Sequence, residues 1–162
     1  MVRDATEADL PAILAIHNEA ILNSLSIWQN EAAPLSNRQA WFAERRANGF
    51  PILAAELDGA LAGYASYGPF RAGAGYDATV EHSIYVRKDL RGRGAARALM
   101  AALIDHARAG KRHVMVAAVG LPNDASLALH RGLGFREAGV LRGVGLKNGR
   151  RLDLALLQLT LG

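Results

Sequence analysis

The run TVEHSIYV (Thr79 to Val86) passes directly into RKDLRGRGAARALM (Arg87 to Met100), and these 22 residues govern the reading of the whole chain. The first part has the composition of a strand, with β-branched and aromatic residues at Thr79, Val80, Ile84, Tyr85 and Val86 that suit a pleated, half-buried surface. The second part leaves the strand through small and basic residues, Arg91-Gly92-Arg93-Gly94-Ala95-Ala96. It then enters the clearest helical pattern in the sequence, Arg91 to Ala109, with Leu99, Met100, Leu103 and Ile104 on one stripe. Small residues let backbone N–H groups approach an anion closely, and a helix N-terminus adds its dipole, so this arrangement suits a phosphate or pyrophosphate. Glycines also occur in strand-to-helix turns for conformational reasons alone. Neither G-x-x-x-x-G-K-[ST] nor a G-x-G-x-x-G after the first strand is present.

Outward from this segment the pattern is consistent with one shared core. Upstream, Val2 to Ala5 reads as a short strand, and Thr6 as the N-cap of a helix carrying Leu10, Ile13, Leu14, Ile16, His17, Ile21 and Leu22. Ser36 and Gln39 have capping-box spacing for a second helix that stops at Asn48-Gly49. Pro51 to Leu57 and Leu61 to Tyr67 read as an antiparallel hairpin about Asp58-Gly59, followed by a Gly-rich loop from Gly68 to Asp77. Downstream come a buried strand, His113 to Val119, and a helix capped by Asn123 or Asp124 that ends at Gly132 or Gly134. Two long strands follow, Phe135 to Leu146 and Leu152 to Leu161, turning at Asn148-Gly149. The order β α α β β β α β α β β predicts an α/β (α+β) domain with a mostly antiparallel sheet of about seven strands and a parallel crossover at residues 78–119.

Composition narrows the function. The 162 residues carry 19 Lys plus Arg against 15 Asp plus Glu, a net charge of +4, and are 51% hydrophobic. This is the size of a single domain, residues 1–162, and no apolar run approaches the ~18 residues that a membrane span requires. The absence of cysteine removes a thiolate nucleophile and a Cys-based zinc site, and no metal is expected. Charges in MVRDATEADLP fall where a secretory signal needs its apolar centre, which makes a cytoplasmic location the default expectation. Residues 1–81 hold 5 bases and 10 acids, whereas residues 82–162 hold 14 bases and 5 acids, concentrated at Arg87, Lys88, Arg91, Arg93 and Arg97. A nucleic-acid surface would interleave aromatics with these bases; only Tyr85 lies near them, so neither nucleic acid nor membrane is an expected partner.

Alternation along the strand puts Thr79, Glu81, Ser83 and Tyr85 on one face and Val80, His82, Ile84 and Val86 on the other. A carboxylate at Glu81 is either paired with an arginine or kept for chemistry, because an unpaired buried charge is costly. His82, among apolar neighbours, reads as a hydrogen-bonded core histidine. Asn123 fits a helix N-cap whether or not it also meets a ligand.

The segment R-G-R-G-A-A at Arg91 to Ala96 resembles the R-x-x-G-x-A/G signature of the GNAT superfamily of acetyl-CoA-dependent N-acetyltransferases, and the element order is similar over nearly the whole chain. Asn123-x-x-Ser126-x-x-x-His130 with Leu133-Gly134-Phe135 resembles that superfamily's second cofactor motif. Within it, NRQAWF (Asn37 to Phe42), GYASYG (Gly63 to Gly68), TVEHSIYV, HVMVAA (His113 to Ala118), SLALHRGLGF (Ser126 to Phe135) and VGLKNGRRLDL (Val144 to Leu154) resemble the phosphinothricin and methionine sulfoximine N-acetyltransferases most.

The resemblance implies a GNAT-like three-layer fold with splayed central strands, and a homodimer. The reaction it implies is transfer of acetyl from acetyl-CoA as co-substrate to the α-amino group of a small amino acid analogue of the methionine sulfoximine, methionine sulfone or phosphinothricin type, with another small amine or a protein N-terminus as the alternative acceptor. It implies Glu81 as the base that deprotonates the amine. His130 stands where the superfamily usually has a tyrosine, as the thiolate's acid or as an orienting residue. Cofactor contacts are expected from Ile84, Tyr85, Val86, Arg91, Gly92, Arg93, Gly94, Ala95, Ala96, Arg97, Asn123 and Ser126. Arg71 is expected to meet the acceptor's carboxylate, unless it is simply a solvated loop residue, with Trp28, Tyr67, Phe70 and Thr79 around the acceptor. Departures from the family pattern fall on the acceptor side: Pro69, Phe70, the slim Gly73-Ala74-Gly75, Leu121-Pro122 near Asn123, and Asn148 and Arg151 in the tail.

Overall fold

A computed structural model describes residues 1–162 as seven strands and four helices. These are β1 (Val2–Asp4), α1 (Leu10–Asn23), α2 (Leu35–Ala47), β2 (Ile52–Leu57), β3 (Ala60–Pro69), β4 (Thr79–Val86), α3 (Ala95–Ala109), β5 (Val114–Gly120), α4 (Asp124–Gly132), β6 (Arg136–Lys147) and β7 (Arg150–Thr160). The strands form one sheet in the order β1-β2-β3-β4-β5-β7-β6. Every neighbouring pair is antiparallel except β4 with β5, the pair joined through α3.

The two faces of the sheet carry separate cores, and strand alternation creates them. Ile52 and Ala54 of β2 join Leu10, Ile13, Ile16, Phe42 and Tyr64 beneath α1 and α2. Leu53 and Ala55, their neighbours in sequence, join Leu99, Met100, Leu103, Met115 and Leu157 beneath α3. The fully buried Leu99 and Leu103 each contribute roughly 1.5–3 kcal/mol to holding α3 on the sheet. The result is a helix–sheet–helix sandwich with the anticipated seven strands.

Both hairpins turn where their dipeptides require. Asp58 and Gly59 have φ of 52° and 76°, and Asn148 and Gly149 have 49° and 75°, the paired positive values of a tight turn that matches strand twist. Helix starts differ from expectation. Thr6 opens a short 3-10 turn, Glu7–Asp9, whose Asp9 carboxylate accepts from the Thr6 N–H at 2.7 Å, and α1 begins only at Leu10. No Ser36–Gln39 capping box forms, because α2 begins at Leu35, one residue before Ser36, with Pro34 in the cap and its carbonyl accepting from the Asn37 N–H at 3.0 Å. The third helix starts at Ala95, not Arg91, since Gly92 and Gly94 take φ of 74° and 87°, values a right-handed helix cannot contain.

What positions the site is the short β4–β5 ladder. Its register runs Thr79↔Val114, Val80↔Met115 and Glu81↔Val116 and then stops, although β4 continues to Val86 and β5 to Gly120. Beyond Glu81 the two strands separate, and the β5-facing backbone of β4 loses its strand partner.

Candidate active site

The separation opens a cavity of about 740 Å³ between β4, the N-terminus of α3, the end of β5 and α4. Its entrance is the loop that the sequence singled out: Arg91, Gly92, Gly94, Ala95, Ala96 and Arg97 all line it. Nothing lies within 4 Å of where a Cβ would stand on Gly92 or Gly94, so bare backbone meets open space there, directly before the first turn of α3, whose Ala95 and Ala96 line the cavity. That is an anion cradle, with two guanidinium groups added. Deeper in, Ile84, Tyr85 and Val86 supply one wall, and Asn123, Ser126 and His130 the other. Asn123 caps α4, its Oδ1 accepting the Ser126 N–H at 3.1 Å, which leaves its amide N–H₂ for a ligand.

Glu81 stands at the fork where the ladder ends, half-buried, and borders the cavity. Burial raises its carboxyl pKa above the ordinary range, and the charge of Arg71 partly offsets this. Its register partner on β3 is Gly68. No side chain projects from Gly68; instead the guanidinium of Arg45, from the last turn of α2, lies on that position, a placement that nothing in the sequence pattern announced.

Other expected residues fall elsewhere. Arg93 is the one loop residue outside the cavity; flanked by two glycines of positive φ, it turns to Asp58 in the β2–β3 turn, 2.8 Å away. Tyr67 is a correction. Its register partner is His82 and not Glu81, so it faces α3, where it is 2% exposed, bonds His106 Nδ1 at 2.7 Å and meets Phe50 edge-on. It therefore lies on the face opposite Glu81, away from the acceptor position expected for it. Thr79 shares Glu81's face, at the base of the β4–β5 ladder, outside the cavity. Phe70 packs edge-on to Tyr76, with the Arg71 guanidinium 5.3 Å over its ring, and Arg71 is exposed. Trp28 donates from Nε1 to the Leu25 carbonyl at 3.0 Å and lays its ring on the bare backbone of Gly145 and Gly120. It thereby reaches the rim of the cavity, which Gly120 lines.

His130 reaches the cavity, yet both of its ring nitrogens are engaged. Nδ1 is 2.7 Å from the Ser126 carbonyl and Nε2 is 2.9 Å from His82 Nε2. Burial lowers the pKa of both histidines, that of His82 to about 3. A neutral His130 whose one proton is held by a carbonyl has none free for a departing thiolate, so of its two expected roles, acid or orienting residue, the geometry fits the orienting one.

Comparison with known proteins agrees with this architecture. Residues 13–135 match the acetyltransferase (GNAT) family. An L-methionine sulfoximine/L-methionine sulfone acetyltransferase of Pseudomonas aeruginosa is 52% identical over 161 residues, covering 99% of this chain and 94% of that protein. The phosphinothricin N-acetyltransferase of Alcaligenes faecalis is 37% identical, over 97% of this chain and 80% of the relative. A putative acetyltransferase of Salmonella typhimurium, yncA, solved with its cofactor acetyl-CoA, superposes with a TM-score of 0.96 at 42% identity, over 100% of this chain and 94% of the other. With the divided sheet, the glycine cradle at α3 and this likeness along its whole length, the chain belongs to the GNAT family and is an acetyltransferase.

Proposed function

We propose that the protein transfers the acetyl group of acetyl-CoA to the α-amino group of a small amino acid analogue of the methionine sulfoximine, methionine sulfone or phosphinothricin type, by direct attack of the amine. The observation that carries this is a single carboxylate, Glu81, at the fork of the sheet, where a cavity with an anion cradle at its mouth meets the face on which Arg71 bears. The names of the relatives point to the same acceptors.

The cofactor's pyrophosphate is assigned to the N–H groups and guanidinium groups of Arg91 to Arg97, and its pantetheine arm to the β5-facing backbone of Ile84 to Val86 and the Asn123 amide. Acetyl-CoA supplies the thioester. Glu81 removes a proton from the acceptor's ammonium, directly or through one water. Backbone N–H groups of β4 stabilise the carbonyl oxygen as negative charge develops on it. The C–N bond forms, the C–S bond breaks, the nitrogen gives its second proton to water, and the thiolate takes a proton from water. Arg71 holds the acceptor's carboxylate near this carboxylate base, and Trp28 closes the far side. The assembly is a homodimer in this reading, supported by the exposed apolar residues Leu141, Val144 and Leu146 along the edge strand β6.

A free-thiol release assay tests this with acetyl-CoA and a panel: methionine sulfoximine, methionine sulfone, phosphinothricin, the standard amino acids, N-terminal peptides and the decarboxylated amines. Turnover is expected with the amino acid analogues and not with amines lacking the carboxylate. Equal rates for an acid and its decarboxylated amine would remove Arg71 as a carboxylate receptor, and turnover confined to peptides would overturn the acceptor class.

A further inference from the structure

The split between β4 and β5 leaves α4 tied to the end of β5 and in need of a polar link back to β4. One exists, and it is made by His82. Its Nε2 lies 2.9 Å from His130 Nε2, the two rings are within 19° of parallel with centroids 5.0 Å apart, and Phe135 meets both edge-on at 5.8 and 5.1 Å. His82 is 8% exposed and His130 is 2% exposed, and both border the cavity.

The proton positions of the pair have one solution. The Ser126 carbonyl can only accept, so at 2.7 Å the proton of His130 is on Nδ1. His130 Nε2 is then a bare acceptor, and the proton of His82 must be on Nε2 to make the 2.9 Å contact a bond and not a clash of lone pairs. This leaves His82 Nδ1 a buried acceptor without a partner. The reverse tautomer would leave a buried N–H donor unpaired and lose the inter-ring bond as well, two penalties in place of one.

We propose that His82 is a positioning residue for the cofactor cavity: its Nε2–H bond to His130 ties α4 to β4 across the fork of the sheet, fixing the cavity's width and holding His130 as the Nδ1–H tautomer. Asn123 and Ser126 ride on α4, so the tie sets how far their side chains stand from the Ile84–Val86 backbone. The assignment rests on the reading that this cavity takes acetyl-CoA.

The test compares wild type with His82→Leu, which removes the donor, and His82→Gln, whose terminal amide N–H₂ can replace Nε2–H. Acetyl-CoA affinity is measured by calorimetry without acceptor, and kcat is measured at saturating acetyl-CoA. His82→Leu is expected to weaken acetyl-CoA by about five- to ten-fold, the scale of one neutral hydrogen bond, with kcat at saturation within about two-fold and the acceptor's KM little changed. His82→Gln should recover most of the affinity. Unchanged affinity in His82→Leu, or a His82→Gln variant as weak as His82→Leu, would overturn the positioning role while leaving the enzyme reading intact. Wild-type protein that fails to bind acetyl-CoA would overturn the reading of the cavity and this role with it. Because His82→Leu can also fail to fold, nitrogen NMR of wild-type protein at neutral pH provides a second measurement. His130 must show a protonated Nδ1 and a bare Nε2, and the opposite tautomer sinks the proposal.

Discussion

In the proposed mechanism Glu81 acts through its position as much as its chemistry. One residue earlier or later its side chain would lie on the opposite face, with Val80 and His82; at 81 it is half-buried on the face that Thr79 shares, at the last rung of the β4–β5 ladder. Burial raises its pKa and Arg71 restrains the rise, which makes the carboxylate a stronger base than a solvated one. A base works only when deprotonated, so kcat/KM should climb as pH rises through a limb above the ordinary carboxylate range and then level. In Glu81→Gln, acetyl-CoA binding should persist, turnover should fall by roughly 10²- to 10⁴-fold, and that limb should vanish from the pH profile. Equal turnover by Glu81→Gln at saturating acceptor would remove Glu81 as the base. Alternation along one strand sufficed to read its face from the sequence. Tyr67 shows where such reading stops, because its face depends on its register against β4, Tyr67↔His82, and pairing register is a property of two strands together.

At the scale of elements, the segment that carries Trp28 is held by a device with little sequence signal. Lys147, at the end of β6, is 2% exposed and points its ammonium at three backbone carbonyls: Ile21 at 2.5 Å, Ser24 at 2.7 Å and Ile27 at 2.6 Å. These carbonyls belong to the end of α1 and the segment after it, so one lysine closes a helix C-terminus and fastens to the β6–β7 hairpin the segment that carries Trp28. Burial lowers its pKa, but three acceptors keep the charge useful. Lys147→Met strands those carbonyls and should cost about 1–3 kcal/mol of stability. More tellingly, it should raise the acceptor's KM several-fold while acetyl-CoA affinity, which the proposed function assigns to β4, α3 and α4 across the cavity, stays near wild type. Equal losses for both substrates would show that the clamp serves the fold alone. Sequence periodicity identified every helix and strand, and Asp58-Gly59 and Asn148-Gly149 gave both hairpins because positive φ at paired positions restricts residue type. Helix starts were less legible: Ser36 and Gln39 have the spacing of a cap, yet Pro34 begins the helix earlier, and a clamp joining residues 120 to 126 apart leaves no local trace.

For the molecule as a whole, buried imidazoles set the acid limit of stability. His17, 7% exposed and 3.3 Å from the Tyr64 hydroxyl, has its pKa lowered by burial to about 4, and His82 has its own lowered to about 3. In the unfolded chain both should titrate near ~6.5. Below that value the unfolded chain takes up protons that the native state refuses, so the contribution is complete above ~6.5 and is lost as pH falls toward the native pKa values. By pH 5 each histidine should have cost about 2 kcal/mol, and His130, shifted in the same direction, adds to the loss. Carboxylates act in a lower window. Asp9, held by Arg3 at 2.8 Å and lowered to about 2, stabilises the fold above its unfolded pKa and loses that contribution only as pH falls below ~4. Arg3 also bonds Glu56 at 2.6 Å, so this pairing joins β1, the entry to α1 and β2 at one corner. The expected curve therefore has two acid phases. Thermal unfolding should drop by about 10 °C between pH 7.5 and pH 5, where surface carboxylates are still ionised, and should fall again below pH 4. A midpoint that stays flat from pH 7.5 to 5 would mean that His17 and His82 are protonated in the native state, and with them the neutral His82–His130 tie would be lost.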